Sequence, residues 1–89
     1  MNVSGIELNV TVGDLDDYEV TECLATMMDE DAENNVKMVA ISKLFKLVFK
    51  DDWSRIKKEL RKQNGGRLTN GTVMDFFTEL TAELNAKNT

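Results

Sequence analysis

The chain has 89 residues, of which 42% are hydrophobic and 30% are charged, and its formal net charge is −5. This length predicts one domain, residues 1–89, near the lower size limit for a single core, and the composition is typical of a folded protein. There is no His, which removes the commonest general base and metal ligand, and the single Cys23 excludes an internal disulfide.

The first residues and the longest apolar stretch argue against export and against membrane insertion. Residues 1–10 lack the basic segment followed by an apolar run that marks a secretory signal. Lysines interrupt the apolar stretch at residues 36–50 every few positions, which excludes a membrane span. The acidic total charge argues against binding to nucleic acid. We therefore expect an intracellular type of protein.

Residues 6–12 alternate between apolar and polar side chains, with apolar residues at positions 6, 8, 10 and 12. This period of two, with several β-branched residues, predicts a half-buried β-strand over about residues 6–12. No second alternating run follows it. We therefore expect the strand to lie on the helices or to pair with another molecule.

Four amphipathic segments follow the strand, and each predicts a helix. The first spans about residues 15–28 and is expected to be capped by Asp14 or Asp16, with further acids in its first turn. The second spans about residues 32–50, with Asp31 as its expected cap. The third covers about residues 52–63 and ends at two glycines. The fourth covers about residues 70–85 after a Thr69 cap. The predicted fold is mainly α, a four-helix domain with a short N-terminal β-strand.

The second helix is apolar around roughly two thirds of its circumference, whereas a surface helix has an apolar stripe about 100° wide. We expect it to be the central helix, with neighbours on more than one side. Ile41, Leu44 and Val48 form the stripe that we assign to the core. Methionine and aromatic side chains are favoured at adaptable contact surfaces, so we assign those of this helix, together with the two methionines at the end of the first helix, to partner binding. These residues are Met27, Met28, Met38, Phe45 and Phe49.

Charge is distributed unevenly along the chain. Residues 1–35 contain ten acids and no Lys or Arg, whereas residues 36–67 contain ten basic residues and three acids. One interpretation is attraction within one fold, with both regions solvated. The other is head-to-tail association between copies through opposite patches. The residues expected to carry such charge-mediated association are Asp16, Asp17, Glu19, Arg55, Lys58, Arg61 and Lys62.

No motif in the sequence indicates catalysis or cofactor binding. Cys23 lies on the apolar side of the first helix, which favours a packed thiol over a nucleophile. The acids at residues 29–33 lack the alternating pattern and central glycine of a calcium-binding loop. Gly65 and Gly66 are not followed by the Lys-Ser/Thr pair of a phosphate-binding loop. We predict a non-enzyme with no metal site and no cofactor.

Several short motifs, in their order and spacing, resemble one known family. An acidic opening, DDYEVTECLA, precedes the central helix, and a D-x-W-x-x-x-K-x-x-L-R helix and a G-R-L-T cap follow it. The matching residues are Asp16, Asp17, Tyr18, Glu19, Glu22, Leu24 and Ala25, then Asp51, Trp53, Lys57, Leu60 and Arg61, then Gly66, Arg67, Leu68 and Thr69. Over about residues 6–85 the chain resembles the small tail assembly chaperones of long-tailed bacteriophages, although Gly71 departs from the usual good helix formers.

This resemblance implies a non-catalytic helper that holds the tape measure protein, with the major tail protein as a second client, before the tail polymerises. It also implies self-association, a location in the host cell cytoplasm, and absence from the mature virion. The exposed apolar surface would shield long amphipathic helices of the client. Two alternatives remain open. The acid-only first third also fits an acidic regulatory protein of the antitoxin or anti-repressor type, and a structural connector retained in the virion is the third class.

Overall fold

Four α-helices follow a short N-terminal β-hairpin in the computed structural model, which describes residues 1–88 and the side chains of residues 1–86. The elements are β1 (Asn2–Val3), β2 (Ile6–Glu7), a 3-10 turn (Val12–Leu15), α1 (Tyr18–Met28), α2 (Asn34–Phe49), a second 3-10 turn (Lys50–Asp52), α3 (Trp53–Gln63) and α4 (Asn70–Asn88). The prediction of a mainly α fold with a short N-terminal β element is confirmed.

The predicted strand finds its partner within the chain. β1 pairs antiparallel with β2, Val3 opposite Ile6, through a two-residue turn at Ser4 and Gly5 whose φ angles are 55° and 78°. Two positive φ angles match the twist of a hairpin, and glycine adopts them without strain. The ladder ends at Glu7, and the chain then continues in an extended form with Leu8 and Val10 buried. The expectations that the strand extends to residue 12 and has no partner strand within the chain are therefore wrong, although the hairpin does lie against the helices as one of the two alternatives had it.

The first helix begins later in the chain than the predicted caps Asp14 and Asp16 implied. Residues 12–15 form a 3-10 turn, in which the Asp14 carboxylate accepts the backbone N–H of Thr11 at 2.8 Å. Asp17 caps α1 instead, because its carboxylate accepts the N–H groups of Glu19 at 2.8 Å and Val20 at 3.3 Å. The predicted caps Asp14 and Asp16 are therefore wrong, and the predicted start at residue 15 is three residues early.

The other helix ends lie close to their predicted positions, with local differences. Glu33, not Asp31, occupies the position before α2, and its side chain makes no capping bond. Thr69 caps α4 as predicted, since its Oγ1 accepts the N–H of Thr72 at 3.2 Å. α4 continues to Asn88, three residues past the predicted end, and Thr89 lies outside the described residues.

Lys50 joins α2 directly to the turn before α3 in an unusual backbone conformation. Its φ is 54° and its ψ is −126°, a region that favours glycine. This conformation lets the chain reverse without a loop, so that α3 folds back beside the end of α2. Trp53, the first residue of α3, then lies against Phe45 and Phe49.

An aromatic cluster built from three helices forms the centre of the core. The Phe45 ring has its centroid 4.7 Å from that of Trp53 on α3 and 5.5 Å from that of Phe76 on α4. Phe49 lies 5.5 Å from Phe45 and 6.2 Å from Phe76. Phe45 has no exposed surface and Phe49 is 8% exposed. The assignment of both rings to a partner is therefore wrong, because the chain's own α3 and α4 cover this side of α2.

The hairpin is fastened to the helices by side chains from α3 and α4. Arg55 Nη2 donates to the carbonyl of Glu7 at 2.9 Å, and Gln63 Nε2 donates to the carbonyl of Ser4 at 2.7 Å. The Ser4 hydroxyl donates to the Glu79 carboxylate. Backbone groups of the short hairpin are thus paired with the helices, and its apolar residues Val3 and Ile6 are 2% exposed.

We predict that Phe45→Ala severely destabilises the protein. Truncating a buried Phe costs about 3–5 kcal/mol, against a total of about 4–13 kcal/mol for a domain of 89 residues. Val39→Ala on the same helix is the matched control, because Val39 is 69% exposed and should leave the melting temperature nearly unchanged. Thermal melting followed by circular dichroism compares the two, and equal melting of both variants would contradict the burial of Phe45.

We also predict that Lys50→Gly stabilises the protein by about 1 kcal/mol, because glycine adopts the positive φ without the strain that a side chain adds. In a domain of this size that corresponds to a melting temperature higher by about 4–8 °C. Lys50→Ala removes the same ammonium and keeps the Cβ, so it should leave the melting temperature unchanged. An equal rise for both variants would assign the effect to charge.

Candidate partner-binding surface

The outward side of α2 carries a narrow strip of exposed residues opposite the aromatic core. It consists of Val36, Val39, Lys43 and Lys46, which we call the outward strip. Val36 is 49% exposed and Val39 is 69% exposed, although both are apolar. Lys43 and Lys46 continue the strip towards the end of the helix and are also exposed. The strip changes from apolar to basic along about 15 Å of helix.

A groove of about 370 Å³ runs along one side of the outward strip, between α2, the start of α3 and the start of α4. We call it groove A. Its lining residues are Met38, Val39, Ile41, Ser42, Lys46, Trp53, Lys57, Leu68, Asn70 and Val73. Five of them are aliphatic or Met, one is Trp, and none is acidic. Lys57 Nζ lies 5.8 Å from the centroid of the Trp53 ring, so a cation–π contact holds this ammonium at the groove.

A second groove, groove B, of about 260 Å³, lies on the other side of the strip, between α1 and α2. Val36, Val39, Ala40 and Lys43 form its α2 wall, and Glu22, Cys23 and Thr26 form its α1 wall. Val39 lines both grooves and is therefore the ridge between them. The strip and its two grooves form one continuous surface with an apolar centre.

The methionines assigned to partner binding have different positions in the structure. Met28, at the end of α1, is 80% exposed, and the half-buried Met38 lines groove A. Met27 is 9% exposed and packs in the core beside Val20 and Cys23. Of the five predicted partner-binding residues, Met27, Phe45 and Phe49 thus belong to the monomer's core. Met28 and Met38 have exposed surface that a partner could contact.

The residues predicted to carry charge-mediated association are not brought together on one surface. Asp17 is occupied as the cap of α1, whereas Asp16 is exposed at its start. Glu19 lies 3.9 Å from Lys43, and this is the salt bridge between the acidic first third and the basic middle in the described part of the chain. It is exposed and long, so it contributes little.

On α3, Lys62 pairs with Glu59 at 3.5 Å within the same helix, while Lys58 and Arg61 point outward and are exposed. Arg55 forms a bidentate pair with Asp52, at 2.7 Å from Nε and 2.8 Å from Nη2. This hydrogen bonding lowers the pKa of the Asp52 carboxyl below its ordinary value of 3.8. Arg55 is therefore held within the monomer, where it also donates to the hairpin.

This surface has few side chains of the types that act as nucleophiles or metal ligands. Burial raises the pKa of the Cys23 thiol, which reduces the thiolate fraction that a nucleophile needs. Among the described residues, no group of three or more His, Cys, Asp or Glu side chains is placed to hold a metal ion. No helix in the same part of the chain is long and apolar enough to cross a membrane.

Comparison with known proteins finds no matching family model, no matching curated protein and no matching solved structure. The surface is therefore interpreted from its own residues.

Sequence reasoning identified α2 as the central helix but missed the outward strip. Its four residues follow each other at spacings of three, four and three, which places them on one line along a helix. Val36 and Val39 were assigned neither to the core nor to a partner, because the apolar residues of α2 surround most of the helix. Spacing alone does not separate the strip from the core, because Ile41, Leu44 and Val48 also follow each other at three and four residues.

We predict that Asp52→Asn lowers stability at neutral pH and that this effect disappears in acid. The folded-state pKa is lowered, so the Asp52–Arg55 contribution is complete above about pH 4 and is lost as the pH falls through the folded-state pKa. Melting temperatures of the native and variant chains should therefore converge on acidification. Asp51→Asn is the control, because Asp51 makes no salt bridge among the described side chains. A pH-independent difference for Asp52→Asn would contradict the assignment.

Proposed function

We propose that this protein is a tail assembly chaperone of a long-tailed bacteriophage, which binds the tape measure protein before the tail polymerises and takes no part in catalysis. The major tail protein is a second client, the host cell cytoplasm is its site of action, and it is absent from the mature virion. Self-association belongs to the same proposal. It rests on the resemblance over about residues 6–85 together with one structural observation.

That observation is the pair of exposed valines on α2, Val36 and Val39, with Val39 as the ridge between the two grooves. An apolar ridge beside grooves that are lined partly by apolar side chains suits the apolar face of another helix. Because α3 and α4 fill the Phe45 side of α2, we propose its exposed side as the client surface. Met38 and Met28 supply flexible apolar surface nearby, which suits clients of varied sequence.

The acidic regulatory protein remains the second candidate, and the exposed acids of the first third favour it. Asp16, Glu22, Asp29, Glu30 and Asp31 are all exposed. A regulator of this kind would cover a basic protein with these residues and would not need the valine ridge. Gene neighbourhood separates the two. A major tail protein gene upstream and a gene for a very long helical protein downstream support the chaperone.

We predict that the protein co-purifies with the tape measure protein on co-expression and that Val39→Glu abolishes this, because a charge on the ridge cannot be buried against an apolar helix. Val12→Glu is the matched control, since Val12 is an exposed valine, at 42%, outside the ridge and both grooves. Co-purification and circular dichroism are measured for both variants.

Failure of the native chain to capture the tape measure protein would contradict the proposed function. Equal loss of capture by both folded variants would contradict the assignment of the client surface to the ridge.

A further inference from the structure

We propose that the outward strip docks an amphipathic client helix whose contact line joins apolar residues to acidic ones, the apolar residues facing Val36 and Val39 and the acids facing Lys46 and the neighbouring Lys57. This inference rests on the proposed function, because it names the chemistry of the client segment that the chaperone selects. It assigns the lysines a role in choosing the client.

The spacing of the strip matches that of a helix packed against a helix. Positions 36, 39, 43 and 46 repeat at three, four and three residues, the a and d spacing of a coiled coil. The four residues extend over about 15 Å, or roughly three turns. A client helix with contact residues at the same spacing can therefore stay in contact with the strip over all three turns.

Grooves A and B provide the spaces that such packing needs. In helix pairs, side chains of one helix insert between side chains of the other, so a ridge must have depressions on both sides. Val39 lies between a groove of about 370 Å³ and one of about 260 Å³. Met38 and Leu68 line the first, and Ala40 lines the second, so both accept apolar side chains next to the ridge.

Charge at the surface selects acids on the client. Groove A contains the ammonium groups of Lys46 and Lys57 and no acidic lining residue. Lys57 is already held over Trp53, so less side-chain freedom is lost when it meets a carboxylate. Lys43 has Glu19 at 3.9 Å as its exposed competitor, and Glu22 lines groove B. We therefore expect acids of the client to pair with Lys46, at the basic end of the strip, and with Lys57 in groove A.

The chain's formal net charge of −5 is opposite in sign to the lysines at the strip, so the charge of the preferred client shows whether binding occurs there. A client chosen by net charge alone would be basic, whereas a client chosen at the outward strip is acidic. The binding preference for charge thus distinguishes docking at the strip from general electrostatic attraction.

The test uses two synthetic helical peptides of about 20 residues, long enough to form helix in water. Both carry Leu and Met at the a and d positions of one half and differ in the other half, where the same positions hold Glu in one peptide and Lys in the other. Neither contains Trp. Because Trp53 is the chain's single tryptophan and lines groove A, its fluorescence reports occupancy of the groove.

We expect the Glu peptide to bind about ten-fold tighter than the Lys peptide at low salt, which corresponds to two exposed charge pairs. Raising the salt concentration to about 1 M should remove most of this difference, since the Debye length falls to about 3 Å. Equal affinity of the two peptides, or tighter binding of the Lys peptide, overturns the proposal.

Charge-reversed variants show which lysines cause the preference for the Glu peptide. Lys46→Glu with Lys57→Glu should invert it, so that the Lys peptide binds tighter. Lys58→Glu with Lys62→Glu changes the net charge by the same amount on the outer face of α3 and should leave the Glu preference in place. Inversion by the control pair, or by neither pair, overturns the proposal.

A second copy of this chain is the competing occupant, because α1 offers exposed Tyr18 and acids to another molecule. Sedimentation of the native chain without and with the Glu peptide decides between them. If the chain forms oligomers that do not dissociate when the Glu peptide is added and that do not bind the peptide, a second copy occupies the strip and the proposal is overturned.

The two proposals fail separately. Capture of the tape measure protein without any charge preference removes this inference and keeps the chaperone. A clear Glu preference without capture of any tail protein removes the chaperone and keeps the docking chemistry.

Discussion

The packing of Phe45 against rings from two other helices is the interaction on which the rest of the structure depends. Phe45 belongs to α2, Trp53 to α3 and Phe76 to α4, and the ring centroids lie 4.7 Å and 5.5 Å from that of Phe45. Aromatic contacts of this kind bury large apolar area at defined angles. Because they fill one side of α2 and α1 packs along another, Val36 and Val39 are left exposed between them.

The sequence predicted the type and order of the helices well, because apolar periodicity is a strong signal in segments of this length. It assigned Phe45 and Phe49 to the wrong surface for a clear reason. Periodicity gives the angle of a residue around its helix, but it does not say which side the neighbouring helices occupy. The reversal at Lys50, which places α3 on the Phe45 side, leaves no trace in residue type, because glycine would be the usual choice there.

Other differences arise from local competition between side chains. Several acids before α1 were equivalent as caps in the sequence, and the structure selects Asp17 because a 3-10 turn already uses Asp14. The hairpin was missed because each of its strands has two residues, too few to show alternation. The candidate site was the least predictable part, since exposed Val36 and Val39 look like core residues until the rest of α2 is placed.

The contacts of the hairpin with α3 and α4 have a consequence for how the chain is made. Ser4 and Glu79 are 75 residues apart, and Ser4 and Gln63 are 59 apart. A ribosome releases the N-terminus first, so Val3 and Ile6 leave the exit tunnel long before the helices that bury them exist. Local helices form in microseconds, whereas these distant contacts must wait until α3 and α4 have been translated. Closure of the hairpin onto α4 is therefore a late step in the folding of the chain during its synthesis.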